Sequence, residues 1–203
     1  TVTAGIFGEA DDFSEGQLVD YIVDSAGQKG TGRWTSLESL KQGVNVSMIT
    51  AACNARIMSN RLEQRAEAKK VIPGPKITEA VPKTDSRKET FANLVREGLY
   101  AAKIVAYAQG FDLLFHASAE YGWNLDFGRI AAIFRAGCII QAEFLNDITR
   151  AFEKNPKLNN LILDEFFLDK ISRNQESLRK VLSCGILSGI PMPAMSQAAA
   201  YLD

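Results

Sequence analysis

Apolar side chains recur at three- and four-residue steps along most of this chain, the spacing that gathers them on one face of an α-helix. The pattern is clearest over residues 86–121, where Phe91, Leu94, Val95, Leu99, Ala102 and Val105 form one stripe. Further along the same segment Ile104, Tyr107, Phe111, Leu113, Leu114 and Phe115 spread around most of the circumference, as in a helix packed on several sides. This segment is expected to be the central pillar of the fold. Further helices are expected over residues 15–26, 36–41, 46–59, 127–152 (with Gly137 as a break) and 165–187, and Pro193 is placed to open a last one. No alternation of period two runs far enough to build a sheet. The expected class is therefore all-α, a multi-helix domain around one long helix.

Polar and small residues supply the punctuation. Thr35 and Ser36 can cap a helix by accepting from its free N–H groups, and Asn45 can do the same for the next. The stretch 71–85, with Pro73, Gly74, Pro75, Pro82 and several lysines, reads as a surface loop. With 203 residues, 46% hydrophobic and 23% charged, the chain has the make-up of one domain with a proper core. Its 23 basic residues are matched by 24 acidic ones, so no chain-wide positive field exists to hold nucleic acid or an anionic membrane. Any anion must be gripped locally. Cys53, Cys138 and Cys184 lie far apart in apolar surroundings and read as buried free thiols of a reducing, cytoplasmic compartment. With a single histidine, His116, no zinc site is expected. No apolar run approaches the roughly 20 residues that span a bilayer.

One segment carries candidate chemistry. Residues 27–35, Gly-Gln-Lys-Gly-Thr-Gly-Arg-Trp-Thr, place three glycines, two cations and two hydroxyls ahead of a helix start. Glycines let the backbone approach a ligand, a helix start offers free N–H groups with partial positive charge, and Lys29 adds a mobile full charge. Such a loop prefers phosphate or carboxylate. The plainer reading is a helix terminator, Gly27, followed by a tight turn with solvated cations. The spacing fails the P-loop pattern, and no Gly-rich strand-to-helix turn offers a dinucleotide cradle. Downstream, Arg56 sits in a helix of small and apolar residues, where it either pairs with a carboxylate such as Glu63 or Glu120 or reaches a ligand phosphate with a forked pair of hydrogen bonds.

The run 24–35, Asp-Ser-Ala-Gly-Gln-Lys-Gly-Thr-Gly-Arg-Trp-Thr, resembles the hallmark loop of the decarboxylating 6-phosphogluconate dehydrogenases, whose usual form has lysine where Arg33 stands. The likeness continues through 99–111, 122–131, 134–140, Asn155-Pro156, 161–164 and 189–193, and is weakest in the first dozen residues and over 62–88. It implies an all-helical domain that follows a Rossmann-like cofactor domain in a homodimer joined mainly through its helical domains. It also implies a step of the pentose phosphate pathway and of gluconate utilisation, in which NADP oxidises 6-phosphogluconate at C3, carbon dioxide leaves the 3-keto acid, and the enediol is protonated to ribulose 5-phosphate without a metal. In that family a lysine base and a glutamate acid stand in a Lys-x-x-His-Asn-x-x-Glu-Tyr motif upstream of the hallmark loop, and nothing before Asp24 matches it. A C-terminal tail that reaches the neighbouring subunit's site would lie beyond Asp203. The expectation is a piece truncated at both ends and inactive alone, with no catalytic or cofactor-binding residue of its own. What the resemblance assigns here is substrate contact by Lys29, Thr31 and Arg56, chiefly at the phosphate end. His116 matches no functional position and is expected to be a packed or half-exposed helical histidine. Two other readings stand beside this one: a non-catalytic dimerisation or anion-binding module of the same fold, and a β-hydroxyacid dehydrogenase for a non-phosphorylated acid, which Lys29 and Arg56 together disfavour.

Overall fold

The computed structural model describes residues 2–75, 85–135 and 142–203. Nine α-helices are seen among them: α1 (Val2–Gly8), α2 (Thr31–Gln42), α3 (Ser47–Ser59), α4 (Leu62–Val71), α5 (Asp85–Glu120), α6 (Phe127–Ile133), α7 (Leu145–Lys154), α8 (Glu165–Leu187) and α9 (Pro193–Leu202), with 3₁₀ turns at Leu18–Tyr21 and Leu161–Leu163. Among the described residues there is no strand, only one isolated antiparallel bridge between Ala10 and Gln17. None of the helices is long and apolar enough to cross a membrane.

The pillar is α5, 36 residues and about 54 Å long at 1.5 Å per residue. Its most extensive packing is against α8. The two backbones come close at Gly98, where an added Cβ would lie 3.0 Å from the Leu178 Cα. Below that crossing Ile104, Val105, Ala108 and Phe111 meet Phe167, Ile171 and Leu182 of α8 and Ile148, Ala151 and Phe152 of α7 in one core. Phe144 sits at its centre, with the Tyr100, Tyr107 and Phe167 rings edge-on to it at 5.5, 5.3 and 5.9 Å, the favoured quadrupole geometry. Asp164 caps α8 by accepting from the Phe166 N–H at 3.0 Å, and Pro193 opens α9. The early part of the expected stripe fares differently, since Val95 and Leu99 are exposed and Phe91 and Leu94 only half buried.

Two buried devices join α3 to the pillar. Gln109 is fully buried; its carbonyl accepts from the Met48 N–H at 3.0 Å and its amide donates to the Ser47 hydroxyl at 3.1 Å. It thus satisfies a first-turn donor of α3 from inside the core. A small cluster of Val44, Val46 and Leu113 pins the α2–α3 elbow beside it.

Several expected elements differ. Residues 15–26 form no α-helix: Asp11 accepts from the Phe13 N–H at 3.1 Å, Gly16 takes φ +124°, and Leu18 donates to the Glu9 carbonyl at 2.9 Å, so the chain folds back on itself before the short 3₁₀ turn. The expected 127–152 helix is two helices, α6 and α7, held side by side where Gly128 lets the Thr149 hydroxyl reach its carbonyl at 3.2 Å; Gly137 lies outside the described residues. Helix α2 begins at Thr31 rather than Ser36. Thr35 and Ser36 therefore lie inside it and donate to the carbonyls of Thr31 and Gly32 at 2.9 and 3.0 Å instead of capping. Asn45 lies one residue before the Val46 N-cap of α3, and its side chain accepts from the Ser47 N–H at 2.9 Å. Helix α4 has no apolar stripe, and forms from residues of high intrinsic propensity, Leu-Glu-Gln-Arg-Ala-Glu-Ala-Lys-Lys. Of the 71–85 loop, the Pro-Gly-Pro portion is non-helical and residues 76–84 lie outside the described set. Cys53 and Cys184 are half buried rather than buried, and Cys138 is outside the described residues.

Candidate anion-binding site

From Ile22 to Lys29 the chain has no repeating structure and crosses the C-terminal end of α3. Gly30 then takes φ +108° and becomes the N-cap of α2, a conformation that L side chains rarely adopt. An added Cβ there would lie in ordinary contact with the Trp34 indole, at 3.4 Å. Gly32, in the first turn of α2, lies so close to α3 that a Cβ would meet the Cys53 Sγ and force that thiol to turn away. Gly27 shows neither constraint, so the two glycines that flank Thr31 are the ones this geometry demands.

Thr31 is the first residue of α2, and the N–H groups of this opening turn have no carbonyl partner within the helix. No side chain caps them. Lys29 stands two residues earlier, exposed. The contact of Gly32 with Cys53, and the Gln28 amide donating to the Cys53 carbonyl at 3.3 Å, seat this loop on α3. Arg56 lies three residues beyond Cys53, one helical turn and about 4.5 Å along the axis. Lys29 and Thr31 are thus brought to the stretch of α3 that carries Arg56. All three are exposed. Among the described residues neither Lys29 nor Arg56 forms an ion pair, and Glu63 and Glu120 are not partners of Arg56. Arg56 instead borders an open groove of about 360 Å³ with Val23, Asp24, Ser25, Ala26, Ala55 and Ser59. An uncommitted cation just ahead of a free helix start, with a second on the helix that the loop rests on, is the kind of arrangement that holds an anion with charge-assisted hydrogen bonds.

The crossing segment is itself fastened. The Ala26 N–H donates to the Ser59 hydroxyl at 3.1 Å, and the Asn60 amide donates to the Ala26 carbonyl at 3.1 Å. Ser25 donates to the Asn60 side-chain oxygen at 2.5 Å. Arg65 of α4 forks between the Asp24 carboxylate and the Ser59 carbonyl, the latter at 3.1 Å. That guanidinium holds the Asp24 carboxyl below its ordinary range. The fasteners of Asp24, Ser25 and Ala26 were not readable in the sequence, since they join residues 33 to 41 positions apart. His116 is elsewhere, half exposed near the C-terminal end of α5, with Nδ1 3.0 Å from the Asp112 carbonyl and 3.2 Å from its carboxylate. Burial pushes the Asp112 carboxyl up, opposed by His116.

The described residues form an all-α domain around a pillar helix, with an exposed loop-to-helix junction on one side. A family model described as 6-phosphogluconate dehydrogenase, C-terminal domain, matches residues 1–203, and the chain belongs to that family. It is 45% identical over 202 residues to the decarboxylating 6-phosphogluconate dehydrogenase of Lactococcus lactis subsp. lactis (strain IL1403), covering 100% of this chain and 42% of that protein. It is 44% identical over 202 residues to the NADP(+)-dependent decarboxylating enzyme of Bacillus subtilis (strain 168), again covering 100% and 42%. Against a Plasmodium falciparum 6-phosphogluconate dehydrogenase, solved in its apo form and in complex with its cofactor NADP+ and with its substrate 6-phosphogluconate, the TM-score is 0.87 at 40% identity over 99% of this chain and 42% of that one. The chain therefore spans about two fifths of the length of these relatives.

Proposed function

We propose that this chain is the helical part of an NADP-dependent, decarboxylating 6-phosphogluconate dehydrogenase, a homodimeric cytoplasmic enzyme that converts 6-phosphogluconate to ribulose 5-phosphate and carbon dioxide without a metal, nucleic-acid or membrane partner. Lys29, Thr31 and Arg56 hold the phosphate end of the substrate. The observation that supports this reading is that the uncapped start of α2, with exposed Lys29 just ahead of it, rests through Gly32 on Cys53 of α3, one turn before exposed Arg56, and that neither cation forms an ion pair among the described residues. The described residues contain no strand, and hence no strand-turn-helix cradle for a dinucleotide. On this reading Lys29, Thr31 and Arg56 fix the phosphate so that the far end of the sugar acid, where C3 is oxidised and the carboxylate lost, meets the acid and base supplied by the rest of the enzyme. Grip on a remote, non-reacting group that orients the reacting carbons is a recognised source of rate.

The test is Lys29→Ala and Arg56→Ala, singly, in the complete enzyme. Each removes a charge-assisted hydrogen-bonding group worth on the order of 1.5 to 3 kcal/mol, or roughly ten- to a hundredfold in affinity. The KM for 6-phosphogluconate should rise by about that factor while the KM for NADP stays put. Equal rises in both constants would remove the phosphate assignment.

A further inference from the structure

We infer that Arg65 is a positioning residue for the phosphate grip, acting through Asp24 to set where the loop carrying Lys29 and Thr31 stands relative to Arg56. The inference rests on the substrate reading above. Lys29 and Thr31 sit on a segment that enters from a stretch without repeating structure, and Arg56 is fixed on a helix joined to the core through Gln109. A loop of this kind has a high conformational entropy unless something ties it down. Besides the Gln28 bond to the Cys53 carbonyl, its upstream ties lie within three residues, Asp24, Ser25 and Ala26, which are bonded to Ser59, Asn60 and Arg65. Those partners begin three residues after Arg56. The same short piece of chain, residues 56–65, thus supplies one cation of the grip and the anchors for the loop that supplies the other.

Within this set Arg65 joins the loop to the end of α3 through a charged fork. One arm donates to the Ser59 carbonyl in the last turn of α3 while the other pairs with Asp24. A planar fork can bridge two acceptors in fixed geometry, and an ammonium cannot. The groove at Arg56 is lined on one side by Val23, Asp24, Ser25 and Ala26, so a shift of this segment changes the width of the space between Arg56 and the loop. Pairing with Arg65 also keeps the Asp24 carboxylate from standing uncompensated on the rim of a groove meant for an anion. Asp24 and Arg65 are committed to each other, whereas Lys29 and Arg56 form no ion pair among the described residues, which separates their effect from that of the two cations.

The experiment compares Arg65→Met, Arg65→Lys, Asp24→Asn and the charge-exchanged pair Asp24→Arg with Arg65→Asp in the complete enzyme, with Lys29→Ala alongside. The expected result is a KM for 6-phosphogluconate raised roughly fivefold in Arg65→Met and Asp24→Asn, with kcat and the KM for NADP within about twofold of the parent. Competitive inhibition by inorganic phosphate should weaken by a similar factor. Arg65→Lys should fall between parent and Arg65→Met, and the exchanged pair should regain part of the loss. Parallel changes in kcat and both KM values in Arg65→Met and Asp24→Asn would show a general structural role and overturn the inference, as would unchanged KM values in both. Asp24→Asn alters an exposed side chain, so it remains informative even where Arg65→Met is poorly folded. If Lys29→Ala raises the substrate KM while the Asp24 and Arg65 variants do not, only this inference falls; if Lys29→Ala is also silent, the phosphate reading falls and takes it along.

Discussion

The two ends of α3 are held in contrasting ways. Its N-terminal end is bonded from inside the core by Gln109, a side chain with no exposure, and rests on the Val44, Val46 and Leu113 cluster. Its C-terminal end, with Arg56, Ser59 and Asn60, is held to the loop by exposed or half-exposed hydrogen bonds and one ion pair. The first kind of joint excludes water and is stiff; the second exchanges readily with solvent and is weak link by link. Sites that admit and release ligand are drawn from the low-stability end of a structure, and the division of α3 shows how one helix can belong to both regimes.

The comparison breaks most visibly in the core. Phe167→Ala removes a fully buried ring that packs edge-on against Phe144 and should cost about 3 to 5 kcal/mol. Thermal unfolding should show a lower Tm, while the surviving folded enzyme keeps the parental KM for 6-phosphogluconate. A smaller change sharpens the comparison at the joint. Gln109→Leu leaves the Met48 N–H buried without its acceptor and should lose about 1 to 3 kcal/mol by denaturant unfolding. Because it loosens the base of α3, it should also raise the substrate KM, which Phe167→Ala should not.

The smallest effect is one of pH. The Asp24 carboxyl is held below its ordinary range, first by the hydrogen bond from Arg65 and also by that group's charge. A depressed carboxyl contributes stability that is present above the unfolded value, about 3.9, and is lost as pH falls through the folded value. Both partners are well exposed, so the contribution is local rather than global. Trp34, packed on Gly30 and 62% exposed, is a natural reporter. Its emission should shift on acidification below the ordinary aspartate range before the core unfolds, and in Asp24→Asn the shift should already be present at neutral pH.

The core was legible in the sequence where period and burial coincide. The pillar, α3, α8 and the Pro193 start were each marked by apolar spacing or a helix-start residue, and the family likeness rested on blocks spread along them. Reading failed where local chemistry overrides period. Residues 15–26 contain enough apolar side chains to suggest a helix, but Gly16 and the bridge between Ala10 and Gln17 turn the chain back, and Tyr21, Ile22 and Val23 remain exposed. Thr35 and Ser36 look like caps until Gly30 is seen to start the helix five residues sooner. The glycines, cations and hydroxyls of the loop were visible as residue types. That the loop rests on the helix carrying Arg56 was not visible in the residues themselves, because it depends on Cys53 touching Gly32, a contact with no local signature.

The central claim, that Lys29 and Arg56 grip a phosphate and not the sugar acid at large, is tested most directly by equilibrium binding of 6-phosphogluconate and of unphosphorylated gluconate to the complete enzyme and to its Lys29→Ala and Arg56→Ala variants. The account predicts that each variant loses roughly ten- to a hundredfold in affinity for the phosphorylated acid and little or none for gluconate, so that the preference between the two collapses. Equal losses for both acids, or a preference left intact, would contradict it.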